Sequence, residues 1–133
     1  IFENSALRTI VLPSTLKQIF RRTFKNCRFL QCISLPEGIE EIPCECFMGC
    51  PLQEVAIPQS VKIIWHSAFA NCGSLRFLAF APGSRLRRIG ESAFANTMLL
   101  RQNVRIPDGA YVPESAFPKK VGKWRRKARE QDH

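Results

Sequence analysis

The chain has 133 residues, a formal net charge of +9, 45% hydrophobic residues and 10% aromatic residues. That length is one domain's worth, and the hydrophobic content is ordinary for a folded chain, which excludes a disordered body. Apolar runs break within a few residues, which excludes a membrane-spanning helix.

Along the chain the first recurrent feature is a phenylalanine. Phe2, Phe24, Phe47, Phe69, Phe94 and Phe117 are separated by 22, 23, 22, 25 and 23 residues. A fixed period of 20–29 residues is the mark of a stacked repeat. The opening Ile1-Phe2-Glu3-Asn4-Ser5 has no basic n-region or apolar h-region, so it does not read as a signal peptide. It begins in mid-repeat, so the expectation is a piece of a longer array or a first coil capped by another element. Three places after the phenylalanines stand Ser5, Cys27, Cys50, Cys72 and Thr97, followed by Leu7, Leu30, Leu52, Leu75 and, less cleanly, Leu100.

Next comes an apolar pair around one residue: Ile10/Leu12, Ile33/Leu35, Val55/Ile57, Leu78/Phe80, Val104/Ile106. Alternation of this kind predicts a short strand with its outer members turned inward. Pro13, Pro36, Pro58, Pro82 and Pro107 then end the ladder, because proline has no N–H to donate. A second apolar pair (Leu16/Ile19, Ile39/Ile42, Val61/Ile64, Leu86/Ile89) predicts another short strand. The phenylalanine segment itself, such as His66 to Cys72, predicts a tight turn or a 3₁₀ piece. Each unit is too short to bury its own apolar face, but stacked units cover one another. At a strand spacing of about 4.8 Å, about five coils would make a rod on the order of 24 Å long.

The unit F-x-x-C-x-x-L-x-x-[VI]-x-[IL]-P-x-x-[VIL]-x-x-I, with Ile89 to Asn96 as a clear copy of its turn, resembles the BspA-like class of leucine-rich repeats over residues 1 to 117. The resemblance implies a β-rich solenoid, a right-handed leucine-rich-repeat-type stack with short strands and tight or 3₁₀ turns, acting as an interaction surface. It divides the chain into a solenoid, 1–117, and a basic C-terminal tail, 118–133. The fit loosens around Ala81-Pro82-Gly83-Ser84, where two residues are added, and in the last unit, where Thr97 replaces cysteine and Tyr111-Val112-Pro113 is compressed.

Placed on this ruler, the six cysteines lose most of their chemical suggestiveness. Cys27, Cys50 and Cys72 share one slot with Ser5 and Thr97, as expected of small buried side chains bonded to neighbouring backbone. Cys46 aligns with Ala68, Ala93 and Ala116, Cys44 falls in a variable column, and Cys32 lies near the first strand. Structural zinc wants four convergent ligands, and no second C-x-x-C pair exists, so neither a metal site nor any cofactor is expected. Laddered cysteines also argue against a disulfide framework. Free thiols favour a reducing intracellular or organellar compartment, whereas the resemblance points to the cell surface. Cys44, His66 and Glu91 share a column in the order nucleophile, base, orienter, but a solenoid wall offers no cleft or oxyanion hole. No enzyme is therefore expected.

The candidate contacts are the residues that break the period. Phe20 and Trp65 stand in a column with Pro43, Gly90 and Pro113, and Ile63 is close to Trp65. Phe77 is the one large residue on an outward strand face otherwise made of small or weakly polar ones. Phe20, Ile63, Trp65 and Phe77 are thus candidate protein contacts. The column Lys17, Glu40, Lys62, Arg87 suggests cross-coil ion pairs. Bases cluster at Arg21, Arg22, Lys25 and Arg28, and again at Arg85, Arg87 and Arg88. From Pro118 onward seven bases and two acids give +5. Lys119, Lys120, Lys123, Trp124, Arg125, Arg126, Lys127 and Arg129, with Arg85, Arg87 and Arg88, are candidate contacts for an anionic surface. The expected function is a non-catalytic protein–protein interaction or scaffold module, a subunit or accessory component of a larger assembly. The alternative is an RNA-contacting component of a ribonucleoprotein particle, and contact with a membrane surface is a further possibility for the tail.

Overall fold

A computed structural model of the chain describes residues 6–99 and 104–118. Its strands are β1 (Thr9–Val11), β2 (Cys32–Ser34), β3 (Glu41–Ile42), β4 (Glu54–Ile57), β5 (Ile63–Ile64), β6 (Phe77–Phe80) and β7 (Arg88–Ile89). Every pairing is parallel and joins elements one repeat apart, as required when a chain coils and returns to the same azimuth. The first apolar pair of each unit supplies β1–β2 and β4–β6, and the second supplies β3–β5–β7. The expected β-rich solenoid is therefore the fold. Between β2 and β4 the first wall loses its ladder, and Gln53 N–H reaches Gln31 O at 3.4 Å.

The register keeps like with like: Ile10 lies beside Ile33, Val55 beside Leu78, and Ile64 beside Ile89. A two-residue gap separates the members of the second apolar pair, and the backbone accounts for it. Lys62 and Ile63 both turn their N–H groups to Glu40 O, and Arg87 and Arg88 both turn theirs to Lys62 O. Two donors on one carbonyl accommodate an extra residue, as in a bulge. Both residues then face outward, between the inward-facing Val61 and Ile64 or Leu86 and Ile89.

The phenylalanine segments are hydrogen-bonded turns that form a third ladder. Phe24 N–H donates to Cys46 O at 2.9 Å, Phe47 to Ala68 at 2.8 Å, Phe69 to Ala93 at 2.7 Å and Phe94 to Ala116 at 2.7 Å. Among the described residues the 3₁₀ geometry is confined to Glu114–Ala116. The other turns bend through two left-handed positions per coil. One is Arg22, Glu45, Ser67 or Ser92, with φ between 55° and 60°; the other is Asn26, Gly49, Asn71 or Asn96, with φ between 57° and 78°. Asparagine and glycine are the residues that tolerate this region best. In the second column, Asn96 Nδ2 donates to Asn71 Oδ1 at 2.7 Å.

Inside, Phe24, Phe47, Phe69, Phe94 and Phe117 stack with centroids 5.2–5.3 Å apart and ring planes within 14° of parallel. The strand repeat sets that spacing, slightly stretched by the offset of the rings. Cys46, Ala68, Ala93 and Ala116 are fully buried beside the rings. Leu30, Leu52 and Leu75 are buried in the following slot, and Leu99 joins the same core, whereas Leu100 lies outside the described residues. Among the described residues no polar or charged side chain is buried.

Candidate functional site

The cysteine slot is structural. Cys50 Sγ donates to Phe24 O at 3.0 Å and Cys72 Sγ to Phe47 O at 3.1 Å, each thiol reaching back one coil to the phenylalanine carbonyl. Thr97 departs from this, its hydroxyl donating to Phe94 O of its own turn at 2.8 Å. Burial pushes the Cys50 thiol up to about 12 and pushes Cys46 and Cys72 higher still, because a thiolate has nothing to solvate it there. Such thiols are unreactive. Cys32 is exposed on β2, and Cys44 is half-buried. No disulfide joins the six cysteines, and no group of three or more potential ligands is poised for a metal among the described residues.

Cys44, His66 and Glu91 do lie on consecutive turns, linked through backbone: Glu45 N–H bonds His66 O, and Ser67 N–H bonds Glu91 O. No side-chain hydrogen bond joins the three among the described residues.

The four candidate apolar contacts do not form one patch. Ile63 is on β5 and Trp65 directly follows it, so both belong to the β3–β5–β7 wall, whereas Phe77 opens β6 on the other wall. Phe77 is 67% exposed, beside Glu54 of the preceding coil. Phe20 is 63% exposed and lines an apolar hollow of about 410 Å³ at the first coil, with Leu12, Leu16 and Phe24. Trp65 is 40% exposed and anchored, its indole Nε1 donating to Glu41 Oε1 at 2.6 Å. This bond ties the ring to the preceding coil. Gly90 follows in the same column, where a Cβ would come within 2.5 Å of His66 N. Glycine is needed there because the coil before it, turning at Trp65-His66, presses on the backbone.

Charge is banded along the axis. Residues 6–30 carry Arg8, Lys17, Arg21, Arg22, Lys25 and Arg28 without an acid, and residues 31–50 carry Glu37, Glu40, Glu41 and Glu45 without a base. The acidic band serves both neighbours. Glu45 accepts from Lys25 Nζ at 2.7 Å and lies 3.9 Å from Arg22, and the Lys25 hydrogen bond holds its carboxyl below the usual range. Glu40 meets Lys62 at 3.5 Å. This is the ion pair that the Lys17–Glu40–Lys62–Arg87 column provides, since Lys17 instead folds across Gly38. The arginine band begins farther on. Arg85, Arg87 and Arg88 are exposed, and among the described residues none of them pairs with an acid. Arg88 instead lies over the Tyr111 ring, 5.8 Å from its centroid.

Tyr111 was not singled out by the repeat pattern. It is 61% exposed and bridges to Arg88 as the next rung of the second wall. The signal was its place in the row Glu41, Ile63, Arg88, Tyr111, hidden by the compression of the last unit. The tail candidates Lys119, Lys120, Lys123, Trp124, Arg125, Arg126, Lys127 and Arg129 lie outside the described residues. No helix among the described residues is long and apolar enough to cross a membrane.

Parallel coils, a ladder of small slots and a phenylalanine spine define a leucine-rich-repeat solenoid. The particular family follows from the sequence: six copies of the BspA type leucine-rich repeat region match residues 1–121, and the chain belongs to that family. No curated protein matches the chain. Two solved structures are similar. A leucine-rich repeat protein from Bacteroides ovatus shares 28% identity at a TM-score of 0.74, over 87% of this chain and 30% of that one. The pneumococcal vaccine antigen PcpA shares 27% identity at a TM-score of 0.67, over 86% of this chain and 27% of that one. The chain thus spans less than a third of the length of these relatives. Leucine-rich-repeat families generally serve as protein–protein interaction modules and are typically non-catalytic.

Proposed function

We propose that this solenoid is a non-catalytic module that holds a protein partner as a component of a larger assembly, with the basic tail, 118–133, clamping onto an acidic surface. The observation that carries this reading is the placement of Trp65 and Phe77. Each is a large aromatic exposed on a wall whose backbone is already satisfied by its own ladders. Neither is needed to fill the core, and exposed aromatics on a rigid frame are the usual anchors of a protein interface. The exposed arginines Arg85, Arg87 and Arg88 leave RNA contact as the competing reading, and salt and nuclease separate the two, because phosphate contacts are lost steeply with salt.

The test is affinity capture with the intact chain, Trp65→Ala, Phe77→Ala and a chain ending at Phe117, each with and without nuclease. The expected outcome is a defined set of proteins retained in both nuclease arms and lost with one or both aromatic substitutions. Loss of every captured protein on nuclease treatment would favour the RNA reading.

A further inference from the structure

The acidic band is largely taken up internally, while among the described residues the arginine band pairs with no acid and lies beside an apolar strip. Glu45 is taken by Lys25 and Arg22, Glu40 by Lys62, and Glu41 by the Trp65 indole. Along the second wall, Ile63 pairs in register with Arg88, and Trp65 is two residues beyond Ile63. The bulge at Arg87-Arg88 turns two guanidinium groups outward from adjacent residues, and Arg85 joins them from the same coil. Tyr111 supports Arg88 from the following rung. One short stretch of wall therefore presents three guanidinium groups, unmatched by any acid among the described residues, next to the half-buried Ile63 and the exposed Trp65.

We propose that this stretch binds an extended, acidic-apolar segment of a protein partner, with carboxylates over Arg85, Arg87 and Arg88 and an apolar side chain over Ile63 and Trp65. This deepens the interaction-module reading and rests on it. Arginine forks suit carboxylates bidentately, and an unpaired cluster of them supplies the charge complementarity that selects an acidic partner and steers its approach. The same geometry disfavours a nucleic acid. Two coils from Arg87 and Arg88, about 10 Å at strand spacing, the wall carries Glu40 and Glu41 in place of bases, so the basic stretch is too short for a phosphate backbone to track along the wall. The apolar Ile63–Trp65 surface would also go uncovered by phosphates.

The probe is a fluorescein-labelled nine-residue peptide with three consecutive acidic residues followed by two leucines. It is titrated onto the full chain carrying Trp124→Phe, so that Trp65 alone reports by its emission while anisotropy reports binding. Saturable binding is expected, with a shift in Trp65 emission. Arg87→Glu/Arg88→Glu should weaken it by about tenfold or more, and Ile63→Ala should weaken it without changing its salt dependence. A peptide with lysines in place of the acids should not bind. Thermal unfolding of each variant separates loss of the site from loss of the fold. Three results overturn the proposal: no peptide binding to the folded wild type, binding unchanged in the folded double arginine variant, or tighter binding of a nine-nucleotide single strand than of the peptide. If the peptide fails while the capture experiment still retains proteins that Phe77→Ala releases, this wall is the wrong surface and the interaction reading stands. If both fail, both fall.

Discussion

A cysteine in the small slot behaves as a hydrogen-bond donor rather than a nucleophile, and pH makes the difference measurable. Cys46, Cys50 and Cys72 are buried with raised pKa values against an ordinary 9.0. Their stabilising contribution is fully present below pH 9, where the thiol is protonated in both folded and unfolded chains. Above pH 9 the unfolded chain loses these protons and the folded chain keeps them, so stability falls as pH rises until the folded values are reached. Each thiol contributes a limiting slope of about 1.4 kcal/mol per pH unit, about 4 kcal/mol per unit for three. Urea unfolding between pH 8 and 11 should show that decline, and Cys72→Ala should remove about a third of the slope whatever it does to stability at pH 7. An unchanged slope in that variant would show that the Cys72 thiol ionises equally in both states. The opposite sign holds for Glu45, whose lowered pKa adds stability above 4.5 that is lost as pH falls through the lowered value. That surface pair is worth a few tenths of a kcal/mol.

An element here is two to four residues long, and its neighbours rather than its own propensity hold it. The two-residue strands β5 and β7 exist because the bulge in each of their coils lets one carbonyl take two donors and returns the next apolar residue to the core, and β3 is held by its pairing with β5. Close approach between coils is therefore the governing constraint, and Gly90 marks one such point on the second wall. Gly90→Ala should destabilise by about 1–3 kcal/mol, because the new Cβ meets the backbone at Trp65-His66 rather than a movable side chain. The check is the urea midpoint together with Trp65 emission in a Trp124→Phe background, which should shift as the indole is pushed away from Glu41. Gly109, where an added Cβ meets nothing within 4 Å, sits at φ 86°, so substitution there tests backbone strain without crowding.

The whole molecule is a one-dimensional stack, so damage to the middle is felt at both ends. Phe69 lies between Phe47 and Phe94 and is fully buried. Phe69→Ala should cost about 3–5 kcal/mol, a large share of the stability of a single domain. In a repeat protein that loss can uncouple the two halves, so hydrogen exchange should show separate protection for the coils before and after residue 69. Banded charge belongs to the same scale. The acidic coil pairs with the basic coil before it and the lysine of the coil after it, which favours this order of coils over any shuffled one.

The repeat was legible because a solenoid writes its architecture locally. The phenylalanine period, the strand pairs, the prolines and the cysteine slot each require a particular residue type at a particular place in every coil. Periodicity alone was enough for the β-rich stack and for the packing roles of Cys27, Cys46, Cys50 and Cys72. The turns were only partly legible: one left-handed column holds Asn26, Gly49, Asn71 and Asn96, which favour that region, but the other holds Arg22, Glu45, Ser67 and Ser92, which no residue preference announces. The candidate contacts were legible as exceptions, but not as a site. Sequence alone grouped Phe20 with Ile63 and Trp65. The fold places Phe20 at the first-coil hollow, Phe77 on the opposite sheet, and Arg88 over Tyr111. Which side chains share a wall depends on how many residues each coil spends at its corners. Bulges and insertions change that number without disturbing the period, so tertiary structure had to decide it.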